Sequence, residues 1–328
     1  MSLTIIKAGI LDSIQDTGRF GYRHLGINPS GASDVFSCQL ANALLGKNLN
    51  SPVIEMHFPA AQLQFNKATV LCITGADFAP CINDIPVPIN QPFIVPASAV
   101  LIFKKPVSGS CCYVSTLPNM DLKKWLNSYS TNLKAAAGGW NGRKLKKGDE
   151  VAFSASVDKY EIKTGVVRSL PWYSSLEKNI SSDIMVIKGS EWCWLPNEMK
   201  QKFLYTSFSI SNLSDRMGYR LYGERLEVET GEHLVSTAVS FGTIQLLPNG
   251  QLIVLMADHQ TTGGYPRIAH VISAHLPYLA QKNPGDTIRF PLAEIETAER
   301  KLLQQINYLQ QIQKTCKLKI QKYLHADL

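Results

Sequence analysis

Cysteine is sparse in this chain: seven residues, at positions 38, 72, 81, 111, 112, 193 and 316. The count is odd and no C-x-x-C spacing occurs. That argues against a disulfide framework and against a cysteine-rich zinc site, and it fits a reducing cytoplasm. Long apolar runs are also missing; none approaches the roughly 18 residues that a membrane helix needs. Met1 to Leu11 lacks a basic start followed by a long apolar core, so no secretory signal is read there. Several chemical motifs are absent: the G-x-x-x-x-G-K-(S/T) phosphate loop, the H-E-x-x-H zinc helix and the G-x-S-x-G nucleophile elbow. No Ala-Met-Lys-Met-like turn occurs, so covalently attached biotin is not expected. No metal-ligand set stands out either.

Charge is low and unevenly spread. Charged residues make up 18% and apolar ones 45%, the balance of a folded globular protein. The net charge is +7, but from Arg300 onward six cations face one acid, Asp327. Most of the excess therefore sits on one terminal segment, as a solvated helix face would carry it. Neither nucleic acid nor a membrane is an expected partner. With 328 residues the chain can bury a large core, in two domains or one large one.

What is present is organised around Gly242 to Pro266. Pro248-Asn249-Gly250 is a turn signal. Gln251 to Met256 is a short apolar run that reads as a buried strand. It leads to Asp258, then to Thr261-Thr262-Gly263-Gly264. Two adjacent glycines either form an anion-binding nest of backbone N–H groups or simply close a hairpin.

Other polar residues gather at turns. Asp16 and Arg19 flank Gly18, close enough to pair across a tight turn. In Asn28 to Asp34, Ser33 is placed to cap a helix starting near Asp34. That loop and helix start either bind a carboxylate or phosphate or form a plain cap. Asp215 and Arg216 set opposite charges side by side before Gly218. Arg216 and Arg220 have the planar forks that clamp a carboxylate. Val53–Met56, Gln62–Phe65, Val70–Ile73, Val100–Phe103, Cys111–Val114 and Phe208–Ser211 read as strands, with Asp77 as a turn former. Leu122–Leu126 reads as a short helix and Asp158–Lys178 as a linker. Gly148-Asp149-Glu150-Val151-Ala152-Phe153 echoes Gly285-Asp286-Thr287-Ile288-Arg289-Phe290, which suggests two similar halves. Beyond Phe290, apolar residues at three- and four-residue spacing predict one long amphipathic helix. It packs on its own body or on a partner.

Five blocks occur in a recognisable order: Ser13–Asp34, Ile73–Asp77, Gly138–Asp149, Ser214–Gly223, and Gly242–Gln245 with Asp258–Pro266. Together they resemble the biotin-dependent carboxyltransferase-like family. That family includes allophanate hydrolase subunit 2, the Kip-inhibitor antagonist and the C-type component of bacterial 5-oxoprolinase. The resemblance reaches nearly to Phe290. It departs from the family pattern at Ser33, at Tyr129–Ala135 and at Gly189-Ser190-Glu191-Trp192. It implies a mainly β fold: two cyclophilin-like β-barrel subdomains, 1–157 and 158–290, a few helices, and a C-terminal helix over 291–328.

Three roles follow from the resemblance. The first is a cytoplasmic subunit of an ATP-dependent 5-oxoprolinase, converting 5-oxo-L-proline to L-glutamate with A-type and Kip-inhibitor-like B-type companions. The second is a carboxyltransferase working with a biotin carrier on urea-like substrates. The third is a non-catalytic antagonist of a Kip-type kinase inhibitor. In the first, ATP and Mg2+ act at the level of the complex, and Asp258 or Asp215 would hold magnesium or orient water. Asp258, Asp215 and Arg216 are the expected catalytic residues. Asp16, Arg19, Ser30, Asp34, Tyr219, Gln245, Gln260, Thr261, Thr262, Gly263, Gly264 and Tyr265 are expected to bind substrate or nucleotide.

Overall fold

The computed structural model describes residues 2–154, 164–175, 181–228 and 234–326, with 324–326 described as backbone only. The chain divides into two compact units: Met1–Gly18, Asp34–Glu177 and Ile306–Leu328 form one, Arg19–Ser33 and Lys178–Gln305 the other. The boundary expected at 157/158 lies outside the described residues.

The first unit contains β1 (Ser2–Lys7), β2 (Asp12–Gln15), α1 (Val35–Leu44), β3 (Val53–His57), β4 (Gln62–Phe65), β5 (Thr69–Asp77), β6 (Pro80–Ile82), β7 (Ile85–Pro86), β8 (Pro92–Val95), β9 (Ala99–Phe103), β10 (Ser108–Thr116), β11 (Glu150–Ala152) and β12 (Arg168–Ser169). The strands form two antiparallel sheets, in the orders β11-β1-β4-β9-β6-β7 and β12-β8-β5-β10-β3-β2. β5 shows how the sequence builds the layers. Its side chains alternate across the sheet. Leu71 and Ile73 enter one core with Leu3, Ile5, Leu63 and Leu101 of the facing sheet. Val70 and Cys72 enter a second core with Leu40 and Leu44 of α1 and with Leu309, Cys316 and Ile320 of the terminal helix. A strand buried on both faces needs the nearly continuous apolar run seen at Thr69–Thr74.

The second unit contains β13 (Val186–Lys188), α2 (Asn197–Tyr205), β14 (Phe208–Ile210), β15 (Gly218–Tyr222), β16 (Thr237–Ala238), β17 (Thr243–Leu246), β18 (Leu252–Leu255), β19 (Thr262–Gly263), β20 (Arg267–Val271), α3 (Leu276–Ala280), β21 (Thr287–Ile288) and the start of α4 (Ile295–Ala326). One sheet runs β13-β20-β17-β18-β15-β14-β21, and β16 pairs with β19. Ile244, Leu246, Leu252, Val254 and Leu221 turn one face into a core shared with Phe203, Leu279 and Phe290. The fold is therefore mainly β, with four α-helices among the described residues. None of these helices is long and apolar enough to cross a membrane.

Four local expectations change. Leu122–Leu126 is not a helix: Trp125 and Ser128 exchange backbone hydrogen bonds around Leu126 and Asn127, both left-handed at φ 50° and 62°. The helix α1 is capped by Asp34, not Ser33, because the Asp34 carboxylate accepts from Ser37 N at 2.8 Å and Ser37 Oγ at 2.6 Å. A carboxylate already holds that helix end, so the plain-cap reading holds over the anion-site reading. The described part of the expected linker is packed structure: β12 pairs with β8, and the Trp172 indole N–H donates to Leu44 O at 3.1 Å. Finally, Thr262–Gly263 is a strand paired to Thr237–Ala238, and neither Gly263 nor Gly264 has the left-handed backbone of a nest. The terminal helix packs on its own chain: Gln313 Nε2 donates to Lys47 O at 2.6 Å and Tyr323 meets Trp172 edge-on.

Candidate functional site

The second face of the sheet in the second unit carries the site. Period-two alternation that sends Ile244 and Leu246 into the core sends Gln245 the other way. The turn at Pro248–Gly250 fixes the pairing of β17 with β18, so Gln245 lies opposite Ile253. β15 pairs on the far side of β18, and there Arg220 lies opposite Ile253. Gln245, Ile253 and Arg220 thus form one cross-strand row. With strands about 4.8 Å apart, the row's two ends stand about 10 Å apart at the backbone. Gly218 is required next to this row, because a Cβ there would meet Ile253 Cδ1 at 2.7 Å.

The row floors a cavity of about 490 Å³ whose walls include Asp215, Met217, Asn249, Gln260 and Tyr265. An adjoining cavity of about 650 Å³ shares Asn249 and Tyr265 and reaches Gly264. Asp215 shapes the rim by turning the chain, its Oδ1 accepting from Met217 N at 2.8 Å and Gly218 N at 3.2 Å.

Gln245 is 1% exposed. Its Nε2 donates to Tyr265 O at 3.3 Å, while Oε1 finds no donor among the described residues. Leaving a buried carbonyl oxygen in that state costs about 1–3 kcal/mol. Gly263 makes room for this carboxamide, since a Cβ at 263 would stand 2.6 Å from Gln245 Nε2. That contact accounts for the glycine.

Beside the cavity lies an ion pair. Arg216 Nε donates to Asp258 Oδ2 at 2.8 Å and Nη2 to Oδ1 at 3.2 Å, with side chains only 8% and 13% exposed. Arg216 also donates to Ser33 Oγ at 2.8 Å and Gly31 O at 2.6 Å, and Ser30 Oγ donates to Asp258 Oδ1. Ser30 and Gly31 reach these positions through left-handed backbone, φ 54° and 99°. Backbone bonds extend the clamp, from Asp258 N to Arg216 O and from Met256 N to Met217 O. Just beyond each partner in the chain, Met217 and Gln260 are cavity walls. The pair therefore sets the spacing of two wall segments.

His259, between Asp258 and Gln260, is buried and was not singled out in the sequence. Its Nδ1 meets Gln260 O, and Asn28 Nδ2 donates to His259 O at 3.1 Å. Burial pushes its imidazole below the usual histidine range, so the ring is neutral at pH 7. Glu191, at one of the departures from the family pattern, holds Arg267 through two side-chain bonds of 2.9 and 2.6 Å and ties that loop to β20. Burial raises the Glu191 carboxyl, but Arg267 outweighs it and the net shift is downward.

Of the residues expected from sequence, Asp215, Gln245, Gln260 and Tyr265 line one cavity, and Ser30, Arg216 and Asp258 form the adjacent clamp. Thr262 and Gly263 back Gln245 as strand β19, and Thr261 O accepts from Val239 N. Others lie elsewhere. Tyr219 is turned by the pleat to the core face, where its OH donates to Ala280 O at 3.4 Å. Asp16, in the first unit, accepts from Ser128 Oγ at 2.7 Å, Ser130 Oγ, Tyr129 N at 2.6 Å and Gly18 N at 2.8 Å. Asp34 is the cap of α1, and Arg19 is buried at 1% exposure. Asn249 and Ile253 were read only as turn and strand residues. The turn signal combined with alternation was enough to place Ile253 beside Gln245.

Magnesium finds no fitting set here. The Asp258 oxygens are engaged by Arg216 and Ser30, and no group of three His, Cys, Asp or Glu side chains converges among the described residues.

The architecture is that of a carboxyltransferase domain, and residues 25–292 match the family described as carboxyltransferase domain, subdomain A and B. The chain belongs to that family. It is 35% identical to the C-type 5-oxoprolinase component of Haemophilus influenzae, over 92% of this chain and 94% of that protein. It is 33% identical to the C-type 5-oxoprolinase component of Escherichia coli, over 94% and 97%. The Kluyveromyces lactis urea amidolyase structure superimposes with a TM-score of 0.85 at 25% identity, over 95% of this chain but only 20% of that one. The chain thus spans about a fifth of the urea amidolyase and nearly the whole of each C-type oxoprolinase component.

Proposed function

We propose that this chain is a cytoplasmic subunit of an ATP-dependent 5-oxoprolinase complex that hydrolyses 5-oxo-L-proline to L-glutamate. One observation carries the reading: the match to the free-standing C-type oxoprolinase components runs end to end in both partners, whereas the urea amidolyases match only through a small fraction of their length. A-type and Kip-inhibitor-like companion subunits complete the enzyme in this reading. ATP supplies activation of the lactam at the level of the complex. No step is routed through Mg2+-ATP on this chain, because the Asp258 carboxylate is already engaged by Arg216 and Ser30.

What this chain contributes is a shaped site. Arg220, Asn249, Gln260 and Tyr265 offer donors for a carboxylate, and Leu247 and Ile253 offer apolar contact for a ring. Arg216 and Asp258 hold the walls at fixed spacing, which matters because a catalytic geometry tolerates little displacement. Asp215 keeps its rim turn.

The test is reconstitution with the two companion subunits, measuring glutamate from 5-oxoproline with and without ATP. ATP-dependent glutamate that disappears when this chain is omitted is the expected result. A correctly assembled complex that makes none would overturn the reading. The superposition on urea amidolyase favours carboxyl transfer with a biotin carrier as the second reading, in which carboxylation of a urea-like amide replaces glutamate formation.

A further inference from the structure

The Gln245 carboxamide is the part of the cavity that its surroundings leave unbalanced. It is held from three sides. Its strand places it on the cavity face, opposite Ile253. Its Nε2 is tied to Tyr265 O, and Gly263 gives it space. The end left over is Oε1, a buried acceptor with no donor among the described residues, in a residue that lines the cavity. An acceptor pinned in this way discriminates between ligands: it rewards one that brings an N–H and penalises an isostere that brings a lone pair. Arg220, at the other end of the same row, supplies a cation for the anionic end of a small ligand.

We infer that Gln245 Oε1 is the specificity-determining acceptor for the N–H of a small amide, bound along the Gln245–Ile253–Arg220 row with its carboxylate toward Arg220. This rests on the cavity being the substrate site, and it names the chemistry that the site reads. A lactam acid such as 5-oxoproline carries both features. Urea-like amides carry the N–H alone and would use Gln245 without Arg220.

The experiment is calorimetric titration of the full chain, alone and in the reconstituted complex. The probes are 5-oxoproline, the corresponding lactone acid in which ring oxygen replaces N–H, and urea. The wild type is expected to bind the lactam at least about tenfold tighter than the lactone. Gln245→Met is expected to bring the lactam down to the lactone's level and leave the lactone unchanged. Gly263→Ala, which crowds the carboxamide without removing the acceptor, is expected to narrow the lactam preference while the chain stays folded. This second variant serves if Gln245→Met does not fold.

Equal losses for lactam and lactone would overturn the inference, because a merely structural glutamine would produce them. So would an unchanged preference in both variants, or failure of every amide probe to bind the complex. The two readings separate cleanly. Normal glutamate formation with an unaltered kcat/KM in Gln245→Met leaves the oxoprolinase reading standing and sinks the acceptor. Absence of glutamate, together with urea binding that depends on Gln245 and not on Arg220, sinks the oxoprolinase reading and supports the acceptor.

Discussion

The two units contain the same turn built twice, and they differ in what surrounds it. In the first, Gly148 N donates to Ile5 O at 2.8 Å, Ile5 N to Asp149 O at 2.9 Å, and the Asp149 carboxylate accepts from Lys146 N at 2.7 Å. In the second, Gly285 N donates to Ile210 O at 2.8 Å, Ile210 N to Asp286 O at 2.9 Å, and the Asp286 carboxylate accepts from Asn283 N at 2.8 Å. Both glycines are left-handed, at φ 89° and 91°, and each turn ends in a phenylalanine buried in its own core. Here the likeness stops. The β5 sheet in the first unit is covered on both faces by apolar cores. The large sheet of the second unit covers one face and gives the row Gln245–Ile253–Arg220 to a cavity. A repeated scaffold thus supports two outcomes, decided by what packs on the second face. Chemistry concentrates where that face is left accessible.

The largest effects should come from breaking the clamp that has no counterpart among the described pairs of the first unit. Removing one partner of a buried pair leaves the other charge uncompensated, which costs about 3–5 kcal/mol. Arg216→Ala should lower stability by that order and reduce turnover of the assembled complex at least about tenfold. Asp258→Asn should reduce turnover comparably. The double variant Arg216→Ala/Asp258→Asn should lose less than the sum of the two, because the pair acts as one unit. Denaturant melts of the three variants and steady-state rates in the complex check this. Near-wild-type rates from both single variants would remove the clamp from any functional role.

The two closing phenylalanines should differ by a smaller margin. Phe290 is fully buried and stacks on Phe203 with ring centroids 5.2 Å apart, whereas Phe153 is 8% exposed. Phe290→Ala should cost about 3–5 kcal/mol and Phe153→Ala distinctly less, since the cost follows burial and the cavity left behind. Chemical denaturation of both variants, with separate probes for each unit, decides it. Equal costs would mean that the two turns are interchangeable in their packing as well as their hydrogen bonds.

The sequence makes the local parts of this comparison legible and hides the long-range ones. The turn at Pro248–Gly250, the strands around Val53, Gln62, Val100 and Cys111, and the long final helix follow from turn residues and periodicity. So does the placement of Gln245, once alternation and the hairpin are combined. The helix expected at Leu122–Leu126 fails for a reason absent from its own residues. The segment just after it is held by Asp16, more than a hundred positions away, through Ser128, Tyr129 and Ser130. Gly263 likewise reads as half of a nest until the Gln245 carboxamide is seen beside it. A short propensity gives way to a tertiary contact in the first case. In the second, the glycine serves a neighbour's side chain and not its own backbone.

The smallest expected effect separates the two aspartates of the repeated turn. Asp149 has an extra partner: Arg143 grips both its oxygens at 2.7 Å. That guanidinium holds the Asp149 carboxyl down at about 2, against burial, which pushes the other way. A depressed carboxyl contributes stability above its unfolded value near 3.8 and loses it as the pH falls toward 2. Asp149→Asn should therefore lower stability by about 1–2 kcal/mol at neutral pH, discounted for the partly exposed arginine, and flatten the acid limb between about pH 4 and 2. Among the described residues Asp286 carries its turn bond to Asn283 with no cation in reach, and Asp286→Asn keeps an acceptor there. Its effect should stay within about 0.5 kcal/mol. Urea melts of the two variants across that pH range test the distinction. A matched acid limb in both would show that the Arg143 grip adds nothing to a turn the backbone already defines.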